Sequence, residues 1–211
     1  MELIKYLNEH FFTTQQLLEV SKITEQELRN YQEQEVMPKC SYKLNLSLKS
    51  DSFFGIHNEE QKIEYYAKGY SSWLATVQSL NNKNAIYSVF AQRYQKAIAH
   101  LKNEGHTSSN AKINENINLH IEEEWRHFLN GIYGLCTKSG LPEDIAAKEL
   151  AILEINELSA EDELSEEQLK KLISAVNLLD SASSLFAPHE RLKSSRYRLV
   201  DEVRRKYQLQ S

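Results

Sequence analysis

The sequence predicts a mostly α-helical protein: a small N-terminal subdomain with one short strand, packed on a helical body of about six helices. Three observations carry that prediction. Six glycines and three prolines in 211 residues are few for a sheet-rich fold, whose many turns draw on both. Apolar residues recur at three- and four-residue spacing along most of the chain. Helix-capping sequences stand where those periodic runs begin.

Taken in order, residues 2 to 12 place Leu3, Ile4, Leu7 and Phe11 on one helical face. Thr13 with Gln16, and Thr24 with Glu27, have the spacing of capping boxes, so a helix starts at each threonine. The turn Ser21-Lys22-Ile23 separates the two helices, and the second ends near Gln34. Residues 41 to 48, SYKLNLSL, alternate apolar and polar and predict a single edge strand or wing. DSFFG, residues 51 to 55, reads as a turn with its two aromatics tucked inward. Helices are then expected over 59 to 79 and 84 to 102, with a polar loop at 103 to 110. Three more follow at about 113 to 133, 142 to 158 and 165 to 186. Pro142 suits a first helical position, and Ser165 with Gln168 makes a third capping box. A last helix runs from Pro188 to about Tyr207. The chain divides at residue 55, into a helix-turn-helix-like subdomain at 1 to 55 and a helical body at 56 to 211.

The segment FTTQQLLEVSKITEQELRNYQEQEVMP resembles the MerR-type helix-turn-helix through Phe12, Thr13, Leu17, Leu28, Arg29, Tyr31, Val36 and Pro38. That resemblance implies a DNA-binding transcriptional regulator. Two features oppose it. Glu35 stands where that family has a glycine, a position that favours left-handed backbone. Residues 12 to 48 carry Lys22, Arg29, Lys39 and Lys43 against Glu19, Glu25, Glu27, Glu33 and Glu35. Phosphate contacts supply much of the affinity of DNA readers, and neither this segment nor a net charge of −5 provides for them. A packing role for the segment is therefore the stronger reading. A small-molecule or protein partner fits the composition better than nucleic acid.

The candidate catalytic residues are His120, Glu124, His127 and Cys136. On a helical wheel His120, Glu124, His127 and Gly131 form a polar stripe beside Ile117, Ile121, Phe128 and Ile132. Gly131 in that stripe leaves room for a ligand or a neighbouring helix. A carboxylate between two histidines suits acid–base work, and a thiol near histidines suits nucleophilic chemistry. The plain alternative is a set of ordinary contacts along one helix, followed by a turn. Glu124 and His127 form one ExxH pair, whereas a di-iron bundle needs two, so no metal is expected. The sequence leaves the cofactor, if there is one, open.

Residues 188 to 211 hold seven basic and three acidic residues. Arg191, Arg198 and Arg205 recur every seven residues and are expected to form one exposed row, facing either the acidic body or an acidic partner. Cys40 and Cys136 lie far apart without CxxC spacing, the N-terminus lacks the layout of a secretory signal, and no apolar run reaches membrane-spanning length. The expectation is a cytoplasmic protein with free thiols and no membrane span.

The stretch WRHFLNGIYGLCTKSGLPEDIAAKELAILEINEL, with PKCSYKL, DSFFG and RYRLVDEVRRKY, is similar to a family of uncharacterised bacterial proteins carried as a domain of unknown function, some labelled natural-product biosynthesis proteins. That resemblance implies an enzyme or accessory protein of a bacterial small-molecule pathway and supplies no catalytic residues. The alternatives are the MerR-like regulator and a non-catalytic protein-interaction module.

Overall fold

A computed structural model describes residues 2–80, 82–161 and 163–209. It contains ten α-helices and a three-stranded antiparallel sheet among the described residues. The expectation of about six helices and one short strand is corrected on both counts.

The chain opens with α1 (Glu2–His10), β1 (Phe11–Thr13), α2 (Thr14–Ser21) and α3 (Glu25–Glu33). The expected capping boxes at Thr13 and Thr24 form: the Thr13 hydroxyl accepts from the Gln16 amide, and the Thr24 hydroxyl from the Glu27 amide. α1 stops at His10 because Phe11 to Thr13 turn extended and pair with residues 65 to 67. Glu35, the residue in place of the expected glycine, has φ +56°. The backbone there is left-handed, and the Glu35 carboxylate lies 2.6 Å from the Lys83 ammonium.

β2 (Tyr42–Ser52) and β3 (Gly55–Ala67) form one long hairpin, and the sheet order is β1-β3-β2. Residues 59 to 67 are strand, not the first half of a helix. Ile63, Tyr65 and Tyr66 fit helical spacing, but Ile63, Tyr65 and Ala67 also alternate, and Tyr65 pairs with both Thr13 and Tyr42. Partners on both sides settled an ambiguous local pattern in favour of the strand. Phe53 and Phe54 at the tip are 97% and 95% exposed, so they are not tucked inward. The hairpin turn lies at residues 53 to 54, beside the expected division at 55.

The body follows as α4 (Tyr70–Leu80), α5 (Lys83–Asn103), α6 (Ile117–Leu129), α7 (Ile132–Cys136), α8 (Pro142–Ser159), α9 (Glu166–Ala182) and α10 (Glu202–Lys206). The expected helix over 113 to 133 is split. A 3-10 turn ends at Ile113, and Gly131 (φ +78°) breaks the chain between α6 and α7. The expected last helix is also interrupted. Arg191–Lys193 is a 3-10 turn, and Tyr197–Asp201 is a π-helical turn leading into α10.

The largest core joins both halves of the chain: Leu17, Leu28 and Met37 pack with Trp73, Phe90, Trp125, Phe128 and Leu150. Phe128 is its centre, with the Trp73 and Phe90 rings each 5.0 Å away and Trp125 stacked at 5.4 Å. Each such ring contributes about 1.5–3 kcal/mol by burial. The indole N–H of Trp73 donates to the Val36 carbonyl at 2.8 Å, tying the exit of α3 to α4. A second core joins α8 and α9 to Val200 and Val203, and a third joins α1, β1 and Tyr65 to Ala187. Among the described residues no helix is long and apolar enough to cross a membrane.

Candidate functional site

α6 presents Ile121, Trp125 and Phe128 to the main core. His120 and Glu124 border that face, one turn apart, and both are buried. The Nε2 atom of His120 lies 3.8 Å from Oε1 of Glu124 and 3.8 Å from Oε1 of Glu149 on α8. His127 Nδ1 lies 3.8 Å from the same Glu124 oxygen, while its ring is half exposed. Seven residues separate the histidines, and Glu124 stands between them with one carboxylate oxygen 3.8 Å from a ring nitrogen of each.

Two tyrosines complete the group. The Tyr133 hydroxyl, on α7, donates a hydrogen bond to Oε2 of Glu124. Tyr94, on α5, places its ring edge-on to His120 at 6.1 Å. Its hydroxyl is buried without a hydrogen-bond partner, as are both ring nitrogens of His120. Buried polar atoms without partners are costly, so the Tyr94 hydroxyl and the two His120 nitrogens stand out among the polar groups of the core. Lys112 borders the group, 3.7 Å from Glu149.

Burial raises the Glu124 pKa above the ordinary carboxylate value. The Tyr133 hydrogen bond and His120 oppose that rise, and Glu149 adds to it. Burial likewise raises Tyr94 and Tyr133, and the Glu124 charge adds to each. A carboxyl with a raised pKa, held by a phenol and set between two imidazoles, is a candidate for proton exchange. Among the described residues no group of three or more His, Cys, Asp and Glu side chains is placed to hold a metal ion.

Cys136, the fourth candidate, ends α7 and is half-buried. Its carbonyl accepts from Lys148 Nζ at 3.0 Å, but its thiol makes no hydrogen bond with the other candidates among the described residues. Gly131 has a structural use. A Cβ there would meet the carbonyl oxygens of Lys39 and Cys40 at 2.5 and 2.8 Å, so the space is filled by backbone. The Lys39 N–H donates to the Leu129 carbonyl and the Ser41 hydroxyl to the Gly131 carbonyl, both at 2.9 Å.

Arg191, Arg198 and Arg205 are exposed, but they do not share one continuous helix. Arg196 and Arg204 are the basic residues that pair with the body, 2.5 and 2.8 Å from Asp180 on α9. In the N-terminal subdomain Arg29 Nη2 lies 2.8 Å from Glu64 and 3.1 Å from Glu25. Beside it a cleft of about 640 Å³ is lined by Arg29, Lys39, Lys43, Glu64, Tyr66 and Arg126, among others, and the polar stripe of α6 does not line it.

Tyr94, Glu149 and Tyr133 carry no signal in the sequence that links them to the stripe. Glu149 comes from another helix, and nothing in the spacing of α8 points to α6. Tyr133 follows Glu124 across the break at Gly131, and only the sharp turn there returns its hydroxyl to the carboxylate.

Among known proteins, a family of unknown function, DUF6058, matches residues 86–208, a span that holds the whole polar group and the C-terminal segment. No curated protein and no solved structure matches the chain.

Proposed function

We propose, for a chain that belongs to the DUF6058 family of unknown function, that the group around Glu124 is an acid–base centre. On this reading the protein is an enzyme or accessory protein of a bacterial small-molecule pathway, acting by proton transfer. The observation that carries the reading is His120: it is buried beside a carboxyl of raised pKa, and both its ring nitrogens lack partners. Glu124 is the proton donor and acceptor, and Tyr133 fixes its rotamer. His127, half exposed, links the carboxyl to solvent. His120 and the Tyr94 hydroxyl receive the polar group of the small molecule. Cys136 stands outside this path.

Glu124→Ala and His127→Ala, each folding as wild type, are expected to abolish the pathway product. Undiminished product with both variants would remove the proposal.

The regulator reading has less support. The exposed face of α3 is Glu25, Gln26, Glu27, Asn30 and Glu33, and Arg29 is held by carboxylates. Binding of the gene's own promoter region, with a steep salt dependence, would restore it.

A further inference from the structure

The outer half of the β2–β3 hairpin projects from the molecule. Every residue from Ser47 to Lys62 is exposed, and the strands run about 34 Å from Tyr42 to the tip at 3.4 Å per residue. Isolated two-stranded ribbons are marginally stable, and exposed strand edges invite pairing. At the tip Phe53 and Phe54 pack edge-to-face at 5.4 Å, with Ile56 beside them, and in the exposed ribbon Asp51, Glu59 and Glu60 outnumber Lys49 and Lys62.

The C-terminal segment offers the complementary surface. Leu185 and Leu192 are 54% and 72% exposed. A cavity of about 250 Å³ is lined by Leu185, Arg191, Ser194, Arg196 and Asp201, which is room for one aromatic ring. Arg191, Lys193, Arg198 and Arg205 form no ion pair among the described residues, whereas Arg196 and Arg204 are committed to Asp180. An aromatic tip on a slightly acidic arm thus faces a cavity of one leucine and two arginines on a net-basic segment.

We propose that the hairpin is a dimerisation arm: its tip seats Phe53 or Phe54 in the Leu185–Arg191 cavity of a second copy of this chain. The base of the arm adjoins its own copy of that cavity, because the Tyr42 hydroxyl donates to Glu190 at 2.6 Å. Two arms laid side by side in opposite directions therefore bring each tip to the other's base. The arrangement is two-fold and closes at two copies. Two seated phenylalanine rings at about 200 Å² each supply roughly a quarter of the ~1,600 Å² that a stable interface buries. The facing sides of the arms, including Leu46 and Leu48, supply the remainder.

Sedimentation equilibrium of the full chain tests this. Wild type is expected to be a dimer, and Phe53→Ser with Phe54→Ser should weaken it about 100-fold or more while leaving the circular dichroism spectrum unchanged. Glu59→Arg with Glu60→Arg makes arm and seat both basic, and Arg191→Glu with Arg198→Glu makes both acidic. Each double variant alone should be monomeric, and an equimolar mixture should dimerise, since both arm–seat pairs are then matched. A monomeric wild type, with or without affinity for lipid vesicles or another protein, would overturn the proposal. So would a dimer indifferent to these variants, or a mixture that stays monomeric.

Discussion

Arg29 on α3 and Glu64 on β3 lie 2.8 Å apart, and this contact decides what the N-terminal subdomain presents to solvent. The one arginine of the helix-turn-helix-like segment reaches back to the sheet, so α3 shows an acidic outer face.

Arg29→Ala is expected to destabilise the protein by about 1 kcal/mol, a modest figure because the Arg29 side chain is 36% exposed and solvent screens the pair. Burial alone would raise the Glu64 pKa, but Arg29, Tyr66 and Lys43 outweigh it and hold the carboxyl below 4.5. The stabilisation is therefore present above the unfolded value of 4.5 and is lost as pH falls through the lower folded value. Urea unfolding across that acidic window should show the wild-type advantage over Arg29→Ala shrinking toward zero.

The pH dependence at Glu124 runs the other way. Its folded pKa lies above 4.5, so the folded state binds more protons than the unfolded state between the two values. Stability falls as pH rises through that interval. Glu124→Gln should remove this slope, with a melting temperature at neutral pH equal to or above that of wild type. A clear loss of stability at neutral pH would mean that the ionised carboxylate holds the fold together.

Gly131→Ala should cost roughly 2–4 kcal/mol, from a left-handed backbone forced on alanine and from collision with the Lys39 and Cys40 carbonyls. Chemical denaturation measures the loss. Tyr133 hangs from the same break, so the Glu124 pKa should move as well, detectable by NMR titration of the carboxyl.

Glu35→Gly is expected to stabilise by about 0.5–1 kcal/mol, because glycine adopts φ +56° without steric cost. The lost contact with Lys83 subtracts little, since both side chains are more than half exposed. No gain in melting temperature would show that the Lys83 pair outweighs the strain.

Local features of the fold are written in short stretches of the chain. The boxes at Thr13, Thr24 and Ser165 start helices where expected, Pro142 opens α8, and the left-handed position falls on Glu35. Each depends on a few neighbouring residues and the backbone groups within their reach. The stripe of His120, Glu124 and His127 was legible for the same reason, since helical periodicity alone places it. Other features depend on contacts between distant segments. Residues 59 to 67 became a strand because Thr13 and Tyr42 supplied partners. Phe53 and Phe54 moved outward because the hairpin they cap projects from the molecule. Glu149 and Tyr94 joined the stripe from separate helices, Tyr133 joined it across the break at Gly131, and Arg29 turned to Glu64. Spacing within one segment gives direction along a helix or strand. Which distant surface meets it is set by the packing of the whole core around Phe128.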